Sequence, residues 1–207
     1  MPAAHDLWLF AAASIALLVA PGPAVGYVIA QSAEHGARFG IAASAGNVTG
    51  GILHVVAAIA GLGTLIVRFP AAYDALRFAG AAYLIWLGIR QLRPHQTSSS
   101  AAEPRTVRDA YVGGIAVNAT NPKGILFFGA FLPQFLRPAA GHVVSQIAIL
   151  GALFLMLALI NDCTYAIVAS RFYPLMGNRE SMRWTRYITA SVYFALGIAA
   201  AVLRRAT

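Results

Sequence analysis

The chain is 207 residues long, 59% hydrophobic and only 11% charged, with a formal net charge of +8. Soluble domains carry about 25% charged residues. Here the apolar residues run in long blocks without polar alternation, which excludes a water-soluble domain and indicates a polytopic membrane protein. The positive charge does not indicate nucleic acid, because the arginines fall in short breaks between apolar blocks, where positive-inside sorting places them. A single cysteine, Cys163, excludes an internal disulfide and paired-thiol redox chemistry.

A first span is expected over residues 7–30, interrupted late by Pro21-Gly22-Pro23. Each proline lacks an N–H, so the carbonyls of Leu17 and Val19 lose their helical donors, and Gly22 lets the chain bend. One proline in a membrane helix is an ordinary kink; two around a glycine point to unwinding. Residues 1–6 contain no lysine or arginine, whereas a signal peptide begins basic, so no cleaved leader is expected. A second span, 40–67, is rich in small residues, and Gly46-Asn47-Val48-Thr49-Gly50 fits the pattern of closely packed membrane helices. That face could bury a contact within the chain or a homodimer contact. Asn47 and His54, seven residues apart, share one side of the helix and suit either interhelical hydrogen bonds or the lining of a pathway. A third span, 71–92, mixes small packing residues with Tyr83 and Trp86, a composition of packing plus interfacial anchoring. Residues 93–108, with Pro94, the run Ser98-Ser99-Ser100 and Pro104, read as a polar linker that divides the chain nearly in half.

The fourth span, 111–135, holds the stretch Asn118-Ala-Thr-Asn121-Pro122-Lys123-Gly124. Lys123 is the sole lysine and lies near the middle of the run, where a charge costs at least about 2.5 kcal/mol. Pro122 cannot donate to the carbonyl of Asn118, and its ring presses on it. A charge, two asparagines and a proline persist at mid-depth only where they face protein or water, which marks a functional site. The fifth span, 143–169, carries Asp162, the carboxylate that lies well inside a span; the sixth, 187–203, ends at Arg204-Arg205. Placing the linker in the cytoplasm gathers Arg38, Arg90, Arg93, Arg105, Arg108, Arg171, Arg179, Arg183 and Arg186 there, against Arg68, Arg77, Arg137, Arg204 and Arg205 opposite. That bias puts both termini outside.

The expected fold is all-α integral membrane. A single domain over 1–207 holds six transmembrane helices as two inverted three-helix repeats, about 7–92 and 109–203. Each repeat begins with a proline-broken helix. Three spans are an odd number, so the second half sits upside down relative to the first. Matching interrupted helices then build a mid-membrane site, as in secondary transporters.

Ala20-Pro21-Gly22-Pro23, Gly36-Ala-Arg38-Phe-Gly40, Gly80-Ala-Ala-Tyr83-Leu-Ile-Trp-Leu-Gly88, Asn121-Pro122-Lys123 with Phe127-Phe128, Phe131-Leu-Pro133-Gln134-Phe135, and Asp162 succeed one another in this order. In order and spacing, over nearly the whole chain, they resemble the lysine exporter / homoserine–threonine resistance family. The resemblance implies a bacterial inner-membrane exporter of amino acids, driven by the proton gradient and needing no cofactor. Members with these motifs are similar to exporters of threonine, homoserine, leucine, arginine or lysine, so the substrate stays open.

An amino acid brings a carboxylate and an ammonium. Lys123, with the N–H groups where the helix resumes after Pro122, would hold the carboxylate. The ammonium would go to the freed carbonyls of Leu17, Val19 and Asn118 with the side chains of Asn118 and Asn121, or to Asp162, which could instead carry the coupling proton. The expected substrate-binding set is Pro21, Gly22, Pro23, Asn47, Asn118, Asn121, Pro122 and Lys123, with Asp162 for proton coupling or ammonium binding. The plainer alternative is that Lys123 and Asp162 pair and fix the helix arrangement. A pair that opens as substrate or proton arrives would join the two readings. With one buried carboxylate, a neutral amino acid is mildly favoured over a dibasic one. An enzyme would need a nucleophile–base pair, and His54, the histidine inside a span, has no Asp, Glu or Cys near it in sequence. A metal site would need clustered carboxylates, histidines or thiolates, which the sequence lacks. A facilitator or channel, or an exporter of another small metabolite or ion in the same fold, remains the alternative.

Overall fold

The computed structural model describes residues 4–20, 22–68 and 106–172, with isolated positions 75, 78, 82, 85, 86, 89, 191, 194 and 198. Pro21, most of the expected third span, residues 93–105 of the linker and most of the sixth span lie outside the described residues. Among those described, every regular element is helical. The long ones are α1 (Ala4–Val19), α2 (Pro23–His35), α3 (Ala37–Arg68), α4 (Val107–Ala119) and α6 (Val143–Phe172), with a short α5 (Pro122–Leu126). Ala37–Gly61 and Val143–Phe172 are each long and apolar enough to cross a membrane. The pair α1 and α2, bent by 55° at its break, makes a third such span if counted as one. Most exposed positions on α6 are apolar, among them Met156, Leu159, Ile160 and Val168, as on a helix that meets lipid rather than water.

Local chemistry sets the boundaries. Gly22, extended at φ −112° and ψ −171°, caps α2, and Pro23 takes the first helical position, where its missing N–H costs nothing. Gly36 ends α2 at φ +88°, a left-handed conformation that a side chain disfavours. At the start of α4, the Asp109 N–H donates to Thr106 Oγ1 at 3.2 Å and the Thr106 N–H donates to Asp109 Oδ2 at 2.9 Å, a reciprocal cap.

The expected single helix over 111–135 is broken instead into α4, α5, a π-helical turn (Phe127–Phe131) and a 3-10 turn (Leu132–Phe135). Two prolines explain this. Ahead of Pro122 the last turn of α4 tightens, with the Asn121 N–H reaching the Asn118 carbonyl at 2.9 Å. Asn121 then extends and caps α5: its Oδ1 accepts from the Lys123 N–H at 3.0 Å. Further on, Pro133 has no N–H to continue an α-helical ladder, and the chain widens to π and then tightens to 3-10 geometry around it.

The small-residue face of α3 packs on α4. A Cβ at Gly46 would collide with the Tyr111 carbonyl and one at Gly114 with the Ala43 carbonyl; one at Gly50 would meet the Ile115 carbonyl at 2.7 Å. The 46–50 face is therefore spent within the chain. Thr49 and Tyr111 hydroxyls bond across the same crossing at 2.9 Å. A second core lies toward the N-terminus of α1, where Phe10, Phe127, Phe131, Leu132 and Phe154 are buried together. Phe127 stacks on Phe154 with 4.5 Å between ring centroids. Beside this core, Arg137 and Asp6 form an ion pair of 2.7 Å.

Candidate functional site

The site begins at the end of α1. A helix leaves its last four carbonyls without helical donors, and prolines at 21 and 23 of the sequence offer none. Side chains from elsewhere serve these carbonyls. Lys123 Nζ donates to the carbonyls of Leu17 and Ala20, each at 2.7 Å. Tyr165 Oη donates to Val19 at 2.8 Å, and Asn161 Nδ2 reaches Leu18 at 3.3 Å. The Leu17 carbonyl also accepts the Ala20 N–H at 3.2 Å. Distances of 2.7 Å are those of charge-assisted bonds, and the carbonyl end of a helix favours a cation.

Lys123 reaches this point because the second break aims it there. Asn121 caps the start of α5, Pro122 takes the first helical position, and the lysine comes directly after it. Its side chain is 8% exposed. The carbonyl of Asn118, expected to be free, accepts the Asn121 N–H in the tightened turn. The Asn118 side chain donates to the Asn47 carbonyl on α3, and the Asn121 side chain is used in its cap. In this structure both asparagines hold the break in shape.

Asp162 sits on α6, buried at 4% exposure. Asn47 Nδ2 donates to its Oδ2 at 3.0 Å and Asn161 Nδ2 to its Oδ1 at 3.3 Å. Asn47 Nδ2 also donates to the Ala24 carbonyl at 3.1 Å, tying α3 to both α2 and α6. With the amide committed to these acceptors, Asn47 Oδ1 is left buried and without a hydrogen bond. A buried acceptor without a donor is costly, and this one stands beside a carboxylate.

These groups share one cavity of about 50 Å3. Gly22, Asn47, Asn118, Asn121, Lys123 and Asp162 line it, with His54, Phe128, Phe154, Leu155 and Ala158 among the remaining wall. It has room for a few waters; its walls must part before an amino acid fits. Pro23 and Pro122 are exposed and shape the breaks without lining the cavity. His54 lines it while its Nε2 contacts the Ala119 carbonyl at 3.2 Å. A Cβ on Gly124 would meet the His54 ring at 2.6 Å, so the glycine lets the imidazole lie against the helix.

The Ala20 carbonyl escapes a sequence reading, because it has no side-chain signature. Asn161 and Tyr165 stand out in the sequence beside Asp162, four apart on α6 and hence on one face, but their service to the α1 carbonyls does not. Among the described residues no group of three or more His, Cys, Asp or Glu side chains is placed to hold a metal ion.

A buried lysine and a buried carboxylate, brought to one cavity beside two helix breaks in a chain with membrane-spanning helices, are features of a solute translocator. The chain belongs to the LysE type translocator family, whose model matches residues 15–204. It is 34% identical to the homoserine/homoserine lactone efflux protein of Salmonella typhimurium, over 96% of this chain and 98% of the relative. It is 31% identical to the leucine efflux protein of Salmonella choleraesuis, over 70% of each. An uncharacterized membrane protein of Pseudomonas aeruginosa is 30% identical over 80% of this chain and 76% of its own length. No solved structure matches the chain. The protein is thus a membrane-integral translocator rather than a member of an enzyme family.

Proposed function

We propose that the protein exports neutral amino acids or close derivatives by secondary transport. The observation that carries this reading is the placement of Lys123 and Asp162, both buried, on a single cavity between the two helix breaks. An amino acid needs a cationic pole and an acceptor-rich pole out of water. Lys123 serves the carboxylate. The carbonyls at the end of α1 and the open Asn47 Oδ1 serve the ammonium, leaving Asp162 to carry a coupling proton. The other polar side chains of the lining, His54, Asn118 and Asn121, are engaged in holding the second break. The described lining residues include no carboxylate besides Asp162 to meet a second positive charge, which favours neutral over dibasic substrates. The homoserine and leucine named for the relatives are both neutral.

The same reading puts the protein in a bacterial inner membrane with both termini on the periplasmic side. Six spans are arranged as two inverted three-helix repeats, with α1–α2 and α4–α5 as the equivalent broken helices. A homodimer would have to use a face other than 46–50, which is packed on α4. The test is efflux from proteoliposomes preloaded with neutral or basic amino acids, with and without an imposed pH gradient. Gradient-driven efflux of neutral amino acids is expected. Efflux that ignores the gradient identifies a facilitator, and efflux of no amino acid ends the substrate assignment.

A further inference from the structure

The cation seated at the end of α1 is a primary ammonium, and so is the cationic group of almost every α-amino acid. Lys123 Nζ holds the Leu17 and Ala20 carbonyls at 2.7 Å each. The same lysine is the cation that a substrate carboxylate would meet in this cavity. It cannot hold both carbonyls and also turn its full set of donors to a carboxylate. We propose that the Leu17 and Ala20 carbonyls are the ammonium subsite of this transporter, and that Lys123 occupies it as a tethered stand-in which the substrate's own ammonium displaces. This rests on the amino acid reading above and adds where the ammonium binds and what it exchanges with.

The exchange is chemically even only for a molecule with both groups. The substrate ammonium takes over the two carbonyls, and the released Lys123 takes the substrate carboxylate. A monoamine would fill the carbonyls but bring no carboxylate, leaving the displaced Lys123 only Asp162, the carboxylate assigned to the coupling proton, as its anion. A simple carboxylic acid would attract Lys123 and leave the buried Ala20 carbonyl without the lysine donor and the Leu17 carbonyl with only the Ala20 N–H. Selection for the zwitterion thus arises from one lysine and two backbone oxygens, before any side-chain pocket acts. The exchange also moves a long side chain that bridges the two breaks, so it is a natural trigger for widening a cavity of about 50 Å3.

The first test is Lys123→Ala in the full-length purified protein, followed by thermal unfolding with methylammonium chloride. The variant should bind methylammonium, raising its midpoint by about 4 °C at ten times the dissociation constant. Wild type should not respond, nor should either protein respond to tetramethylammonium chloride at equal concentration. A folded Lys123→Ala that ignores methylammonium overturns the subsite. The second test uses wild type, in which the single lysine gives one Nζ signal after 15N-lysine labelling. Adding a neutral amino acid that the protein exports from proteoliposomes, L-homoserine and L-leucine being tried first, should shift that signal. An unshifted signal with an exported amino acid overturns the exchange while leaving the export reading intact. If no amino acid is exported, it is the export reading that fails, and the methylammonium response alone decides the subsite.

Discussion

The two helix breaks look alike in sequence, each a proline among small or polar residues in an apolar run, yet they do opposite things. The first ends α1 with carbonyls that its own chain segment does not satisfy; Lys123, Asn161 and Tyr165 serve them from the second half. The second closes largely on itself, with a tightened turn and the Asn121 cap, while α3 adds His54 at the Ala119 carbonyl and accepts from Asn118 at Asn47, and it sends out a cation. One break is an acceptor pole that depends on the rest of the protein. The other is shaped mainly by its own turn and cap and positions a donor. A proline in a membrane helix therefore says only that backbone groups are released; which partner satisfies them decides what the break does.

The contrast can be broken most severely at Lys123. Lys123→Met keeps much of the length of the side chain but removes its donors from two buried carbonyls, of which Leu17 keeps the Ala20 N–H; an unserved buried carbonyl costs about 1–3 kcal/mol. Loss of efflux in proteoliposomes and a stability loss of about 2–5 kcal/mol by detergent unfolding are expected. The next largest effect lies where α3 supports both breaks. Gly114→Val puts a branched side chain against the Ala43 carbonyl and should cost about 1–3 kcal/mol or more, read as a lowered unfolding midpoint. Tyr165→Phe takes one donor from the first break only and should cost about 1 kcal/mol. A matching loss on Asn121→Ala would show that the second break also leans on a side chain, though its own. The smallest effect is at the surface: Arg137→Gln removes a partly exposed ion pair with Asp6 worth about 0.2–1 kcal/mol. The difference from wild type should shrink in 1 M salt, where the screening length falls to about 3 Å.

Much of this was legible in the chain because lipid makes polar residues conspicuous. A lone lysine beside a proline at 123, a carboxylate at 162 and a doubled proline at 21 and 23 each stand out against apolar neighbours, and the membrane class comes from the length of those neighbours. The boundaries of α1, α2 and α6 reflect Pro23, Gly36 and the uninterrupted run after residue 143. Pairing could not be read. Nothing in the sequence says that Lys123 reaches Ala20, because a backbone carbonyl carries no residue-type signal. The π turn over Phe127–Phe131 was hidden for a related reason: phenylalanines suit any helix, and Pro133 acts backward along the chain. The glycines at 46 and 50 announced close packing without naming α4 as the partner, since small-residue faces are alike wherever they dock.

The most direct test of the central claim, that the two breaks build one proton-coupled amino acid site, is Asp162→Asn in proteoliposomes. The variant keeps hydrogen-bonding atoms near Asn47 and Asn161 but cannot carry a proton. Wild type should show efflux of a neutral amino acid that rises with an imposed pH gradient, and Asp162→Asn should lose that gradient dependence. Gradient-driven efflux left intact in Asp162→Asn would contradict the assignment of the coupling proton to this carboxylate, and with it the single-site account.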